Sequence, residues 1–212
     1  MKKIVLIGDS IRMGYDRYVK LAFEDVANVY YPGDNCRFAA YILRHLHDWK
    51  KYMECGDDVD CVHWNAGLWD SITMPDGELH TPIEIYKYYI ERVCNRIKYL
   101  FPNAKVIFAT STPVVEERFL GECKRYNKDI ELYNEAAIEI VKAHGFTVND
   151  LYALTKDVPL EFYSDMTHFY TKEGTELLTD KVIETIEDVL DIKAKELDYD
   201  ELFSEKSEVI GM

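Results

Sequence analysis

Apolar residues follow two rhythms along this chain. Short continuous runs alternate with longer stretches in which apolar positions recur every three or four residues. The runs are "KIVLIG" at Lys3–Gly8, "NVYYP" at Asn28–Pro32, "VDCVHWN" at Val59–Asn65, "KVIFAT" at Lys105–Thr110 and "FTVND" at Phe146–Asp150. The first, third and fourth lack the polar alternation of a half-exposed strand. They read as parallel strands covered on both faces.

The periodic stretches fall at Ile11–Glu24, Asn35–Lys51, Pro82–Phe101, Tyr126–His144 and Thr171–Asp191. In the third of these, Ile83, Tyr86, Ile90, Val93, Ile97 and Leu100 repeat at helical spacing behind Pro82, which suits a helix start. Gly145 in "HGF" reads as a left-handed helix stop. Strands alternating with helices of this length predict right-handed crossovers and a parallel sheet with helices on both faces. The core spans residues 1–194. Residues 195–212 form an acidic, weakly periodic tail that reads equally as a terminal helix, a frayed end or a dimer arm.

Ligand sites in such sheets form at the C-terminal strand ends. That rule gathers five polar clusters on one edge: Asp9–Ser10, Gly33–Asp34, Asn65–Asp70, Ser111–Pro113, and the loop carrying Asp165 and His168.

Composition narrows the partners. A formal net charge of −14 repels phosphate backbones and anionic bilayers, so neither a nucleic acid nor a membrane is expected. Five cysteines without a CxxC pair argue against a disulfide framework or a zinc knuckle. "IVLI" is too short for a signal-peptide core, and no stretch approaches a membrane span, so a cytoplasmic protein is expected.

Ser10 follows a strand and opens a helix, where free N–H groups and the positive dipole end gather. Such a serine is either a helix cap or a nucleophile. Downstream, "YSDMTHF" sets Asp165 three residues before His168. The carboxylate can accept the Nδ1–H and leave Nε2 to take a proton from Ser10. A surface Asp–His pair would look the same. Gly33 lets a backbone N–H approach a ligand or makes a plain Pro-Gly turn. Asn65 offers an amide or caps a loop.

In combination, "GDSI" at Gly8–Ile11, Gly33, "NAGLWD" at Asn65–Asp70 and "DMTH" at Asp165–His168 resemble the SGNH hydrolases, the GDSL-type esterase and lipase superfamily. The blocks stand in the family's order across most of the chain. The resemblance implies Ser10 as nucleophile, His168 as base and Asp165 as its orienter. It also implies an oxyanion hole from the Ser10 and Gly33 backbone N–H groups and an asparagine side chain, with no metal or organic cofactor. The family pattern has Gly-x-Asn-Asp after the third strand. Here "GLWD" puts Trp69 at the asparagine position, and Asn65 is the preferred replacement donor. Arg12 and Trp69 are candidate substrate contacts, and Asp70 is expected to orient loop backbone.

The expected fold is an α/β/α sandwich around a five-stranded parallel sheet of order 2-1-3-4-5. The expected activity is hydrolysis of a small-acyl ester, acetyl foremost, on a small molecule or glycan. A lysophospholipase or acyl-thioesterase, a binding module that kept the fold, and a flavodoxin-like domain are the competing readings. A homo-oligomer is left open.

Overall fold

The computed structural model describes residues 1–209. Five strands, β1 (Lys2–Ile7), β2 (Ala27–Tyr30), β3 (Cys61–Trp64), β4 (Lys105–Ala109) and β5 (Thr147–Asn149), form one sheet in the order β2-β1-β3-β4-β5. Every pairing is parallel. The helices are α1 (Ser10–Ala22), α2 (Ala39–Met53), α3 (Ile83–Leu100), α4 (Asn127–Ala143), α5 (Leu151–Thr155), α6 (Lys172–Leu190) and α7 (Tyr199–Val209).

The unbroken apolar runs are explained by burial on two sides. Val5 and Ile7 face the core beneath α2 and α3, while Ile4 and Leu6 face the core beneath α1 and α6. In β3, Val62 and Trp64 join the first core and Cys61 the second. The result is the expected three-layer α/β/α arrangement and strand order.

The sequence pattern and the structure part at a few ends. β2 stops at Tyr30, before Pro32, which has no N–H to give a ladder. Helix α2 begins at Ala39 rather than Asn35, because residues 35–38 serve a loop. There Asn35 Oδ1 accepts the Arg37 N–H at 2.8 Å, and Arg37 itself is left-handed with φ of 52°. Gly145 has φ of 76°, as its place after α4 implied. Helix α5, five residues capped by the Asp150 carboxylate, is too short to show a period.

Part of the tail forms α7. Phe203 stacks on Tyr18 of α1 with ring centroids 5.9 Å apart, and Lys172 of α6 pairs with Asp200. Residues 210–212 of that tail lie outside the described residues. All five cysteines are free thiols, and only Cys123 is exposed. Among the described residues no helix is long and apolar enough to cross a membrane.

Candidate active site

The turn between β1 and α1 decides what Ser10 is free to do. The cap of α1 is Asp9, whose side chain accepts the Ile11 N–H at 3.0 Å. Ser10 is the first helical residue, so its hydroxyl is released from capping. That hydroxyl lies 2.8 Å from His168 Nε2. On the other side of the ring, His168 Nδ1 lies 2.7 Å from Asp165 Oδ2. With Nδ1–H donated to the carboxylate, Nε2 is left to accept the Ser10 proton. Asp165 Oδ1 accepts the N–H groups of Thr167 at 2.7 Å and His168 at 2.9 Å, which locks the loop around the carboxylate. Burial alone would raise the Asp165 pKa. The bonds from His168 and these two N–H groups outweigh it and hold the carboxyl below its ordinary value.

Tyr170 is a further member that the sequence pattern did not single out. Its hydroxyl donates to the Ser10 carbonyl at 2.5 Å, and its ring stacks on His168 with centroids 4.7 Å apart. It thus braces both partners of the proton transfer. The only signal in the sequence was its place two residues after His168.

Asn65 reaches the same turn from the end of β3. It is buried, and a Cβ on Gly8 would overlap its Oδ1 at 1.9 Å. Glycine at position 8 is therefore what lets the amide approach. Asp9 is fully buried beside it. Burial raises the Asp9 pKa, against the Asn65 amide, the Ile11 N–H and the positive fields of Arg125 and His168. Trp69 is half-buried in the loop beyond, and Trp64 is wholly in the core.

The loop after β2 meets the Ser10 turn through Cys36, whose N–H donates to the Gly8 carbonyl at 3.1 Å. Gly33 is exposed in this loop. It borders a groove of about 640 Å³ shared with Tyr31, Asp34, Trp49 and Tyr52.

Arg12 corrects an expectation. It does not face a substrate: only 1% of it is exposed. Its guanidinium is spent on Asp16, on the Asp34 carbonyl at 2.6 Å and on the Gly8 carbonyl at 3.4 Å. A buried cation needs such partners, and these ones tie the Ser10 turn to the loop after β2.

Asp70 is wholly buried and accepts the Ala39 N–H at 3.0 Å. It caps α2 in place of Phe38, which has no side-chain acceptor. Burial pushes its carboxyl up to about 7, against the pull of the Ala39 N–H and Thr81. The folded state therefore holds this proton more tightly than the unfolded chain, whose carboxyl has the ordinary value of 3.8. Between those values stability falls as pH rises. Asp70→Asn, which keeps an acceptor for Ala39, is expected to flatten that fall. Denaturant midpoints at about pH 4 and about pH 7 check it. A slope unchanged in the variant would assign the fall to Asp9, whose pKa is also raised.

The loop between β4 and α4 brings two guanidinium groups to this edge. Arg118 donates to the Asp165 carbonyl at 3.1 Å, and Arg125 donates to the Leu68 carbonyl at 2.7 Å. Neither was singled out from sequence, since both lie in an irregular stretch.

No protein-family model matches the chain. A lipase/acylhydrolase from Enterococcus faecalis is 26% identical, with a TM-score of 0.69 over 93% of this chain and 100% of that one. Axe2, an acetylxylan esterase from Geobacillus stearothermophilus, shares the fold at 15% identity, with a TM-score of 0.66 over 87% of this chain and 94% of that one. The GDSL esterase/lipase WDL1 of Oryza sativa subsp. japonica is 26% identical over 131 residues, which is 56% of this chain and 50% of the rice protein. The match thus spans about half the length of that curated relative. The ordered blocks, the sheet order and these likenesses together support the SGNH hydrolase superfamily of GDSL-type esterases and lipases as the family of this chain.

Proposed function

We propose that the protein is a serine ester hydrolase acting on a small-acyl ester, acetyl foremost, with a small molecule or glycan as the alcohol half. The observation that carries this reading is the Asp165–His168–Ser10 chain, with links of 2.7 and 2.8 Å. Ser10 Oγ attacks the ester carbonyl as His168 Nε2 takes its proton. The imidazolium, held against Asp165, returns that proton to the leaving alkoxide. Water, activated by the same Nε2, then releases the acid and restores Ser10.

The tetrahedral oxyanion needs donors. The Ser10 N–H at the start of α1, the Gly33 N–H and the Asn65 amide are assigned here. Asn65 is preferred to Trp69 because its amide packs against Gly8 and Asp9. Removing one such donor typically costs about a hundredfold or more in turnover. Asn65→Ala is therefore expected to lose roughly that much kcat with little change in KM, and Trp69→Phe much less. Steady-state kinetics check the ranking, and the reverse order would move the donor to Trp69.

The surroundings of Ser10 favour a short polar ester over a long acyl chain. They include the Tyr170 hydroxyl on the Ser10 carbonyl and the Asn65 amide beside Gly8 and Asp9. Two experiments test the reading: labelling with a fluorophosphonate, and a panel of acetyl, butyryl and long-chain esters beside acetylated sugars. Labelling with a preference for acetyl esters is expected. A folded protein that neither labels nor hydrolyses any ester is a binding module instead. A preference for long chains points to a lysophospholipase or acyl-thioesterase.

A further inference from the structure

Arg125 is a cation whose local charge balance is incomplete. The chain carries 39 acidic residues against 25 lysines and arginines, so carboxylates are abundant. Arg12, which is buried, pairs with Asp16; Arg125 is half-buried. Arg125 has no carboxylate within ion-pair distance among the described residues.

Its position is held firmly. Nε donates to Leu68 O at 2.7 Å, and the guanidinium lies 5.9 Å from the centroid of the Phe119 ring. The neighbouring Lys124 exchanges two backbone hydrogen bonds with Thr73, at 2.9 and 3.0 Å, which staples this loop to the one after β3. The two outer nitrogens have no hydrogen-bond partner among the described residues. Leu68 belongs to the Asn65–Asp70 block after β3, so the group sits on the strand-end edge that carries Asn65, and Asp9, Cys123 and Asp165 all act on its charge. Burial pushes its pKa down, as for a cation short of counter-charge.

A half-buried guanidinium with one edge anchored and the other open is built to take an oxyanion by two parallel N–H bonds. Asp9 does not fill that role, because it makes no ion pair with Arg125 and spends Oδ1 on the Ile11 N–H. We propose that Arg125 is the anion-binding residue of the substrate cleft, and that the ester this protein cleaves carries a carboxylate or similar oxyanion in its acyl or alcohol half. The inference rests on the esterase reading of Ser10 and names the substrate class for it. Arg125 replaces Arg12, which is buried, as the cation that meets substrate.

Matched esters that differ only in charge test it. On the acyl side these are monomethyl malonate, succinate and glutarate against the corresponding carboxamide methyl esters. On the alcohol side the pair is acetoxyacetate against acetoxyacetamide. The wild-type chain is expected to favour the charged member of one series by at least tenfold in kcat/KM. The series that shows this places the anion in the acyl or the alcohol half. Arg125→Gln should erase the preference, Arg125→Lys should keep part of it, and added salt should weaken it. No charge preference in the wild-type chain overturns the proposal, whether or not the variants fold. So does a preference that survives Arg125→Gln.

Failure of the esterase reading is read separately, as no turnover of any ester in the panel. In that event calorimetry with Ser10→Ala decides the anion site. Monomethyl succinate should bind at least tenfold more tightly than its carboxamide analogue, and Arg125→Gln in that background should remove the difference. Equal binding of the two overturns it.

Discussion

Ser10→Ala is expected to abolish fluorophosphonate labelling and to lower turnover by about a millionfold, the scale seen when a serine nucleophile is removed. The fold should survive. Ser10 contributes no cap to α1, since Asp9 holds that place, and its hydroxyl has the His168 ring as its partner at 2.8 Å. Loss of the hydroxyl removes the attacking atom without opening a core cavity. Thermal melting alongside kinetics checks both halves of the expectation. Labelling retained by the alanine variant would place the nucleophile elsewhere and end the present assignment.

Asp165→Asn is expected to lower turnover by about ten-thousandfold, as when the orienting carboxylate of such a triad becomes an amide. The physical reason is the tautomer. Asp165 Oδ2 accepts from Nδ1, which leaves Nε2 without a proton and able to receive one. An asparagine amide can donate to Nδ1 instead, and Nε2 then carries the proton and cannot accept the one from Ser10. It also loses the charge that stabilises the imidazolium in the transition state. Binding should change little, so the fall belongs in kcat rather than KM. Asp165 Oδ1 accepts two loop N–H groups, which the asparagine oxygen can also do, so the loop should keep its shape. Wild-type turnover in this variant would mean that His168 is not the base.

Both substitutions act on residues that were already visible as letters in a row. Strands β1, β3 and β4 were legible because each buries alternate side chains in two different cores, which leaves a continuous apolar run as its trace. The helices were legible by their period, and Gly145 by its position. The ends of β2 and α2 were less so, because the chain between them is set by bonds from outside it. Asp70 caps Ala39 from the loop after β3, and Cys36 ties back to Gly8.

The candidate site divides in the same way. Ser10, Asp165 and His168 stand in the order the resemblance implies, and their order along the chain does not depend on packing. By itself the sequence determined the α/β class, the placement of the polar clusters on one sheet edge, and the block order of the superfamily. These follow from local periodicity and chain order, which no tertiary contact alters. Only the tertiary structure decided that Asp9, not Ser10, caps the helix, that Arg12 turns inward to Asp16 and two carbonyls, and that Tyr170 bonds the Ser10 carbonyl and Arg125 the Leu68 carbonyl. Which way a polar side chain turns depends on partners tens of residues away, since each buried donor or charge settles where the folded chain brings it an acceptor.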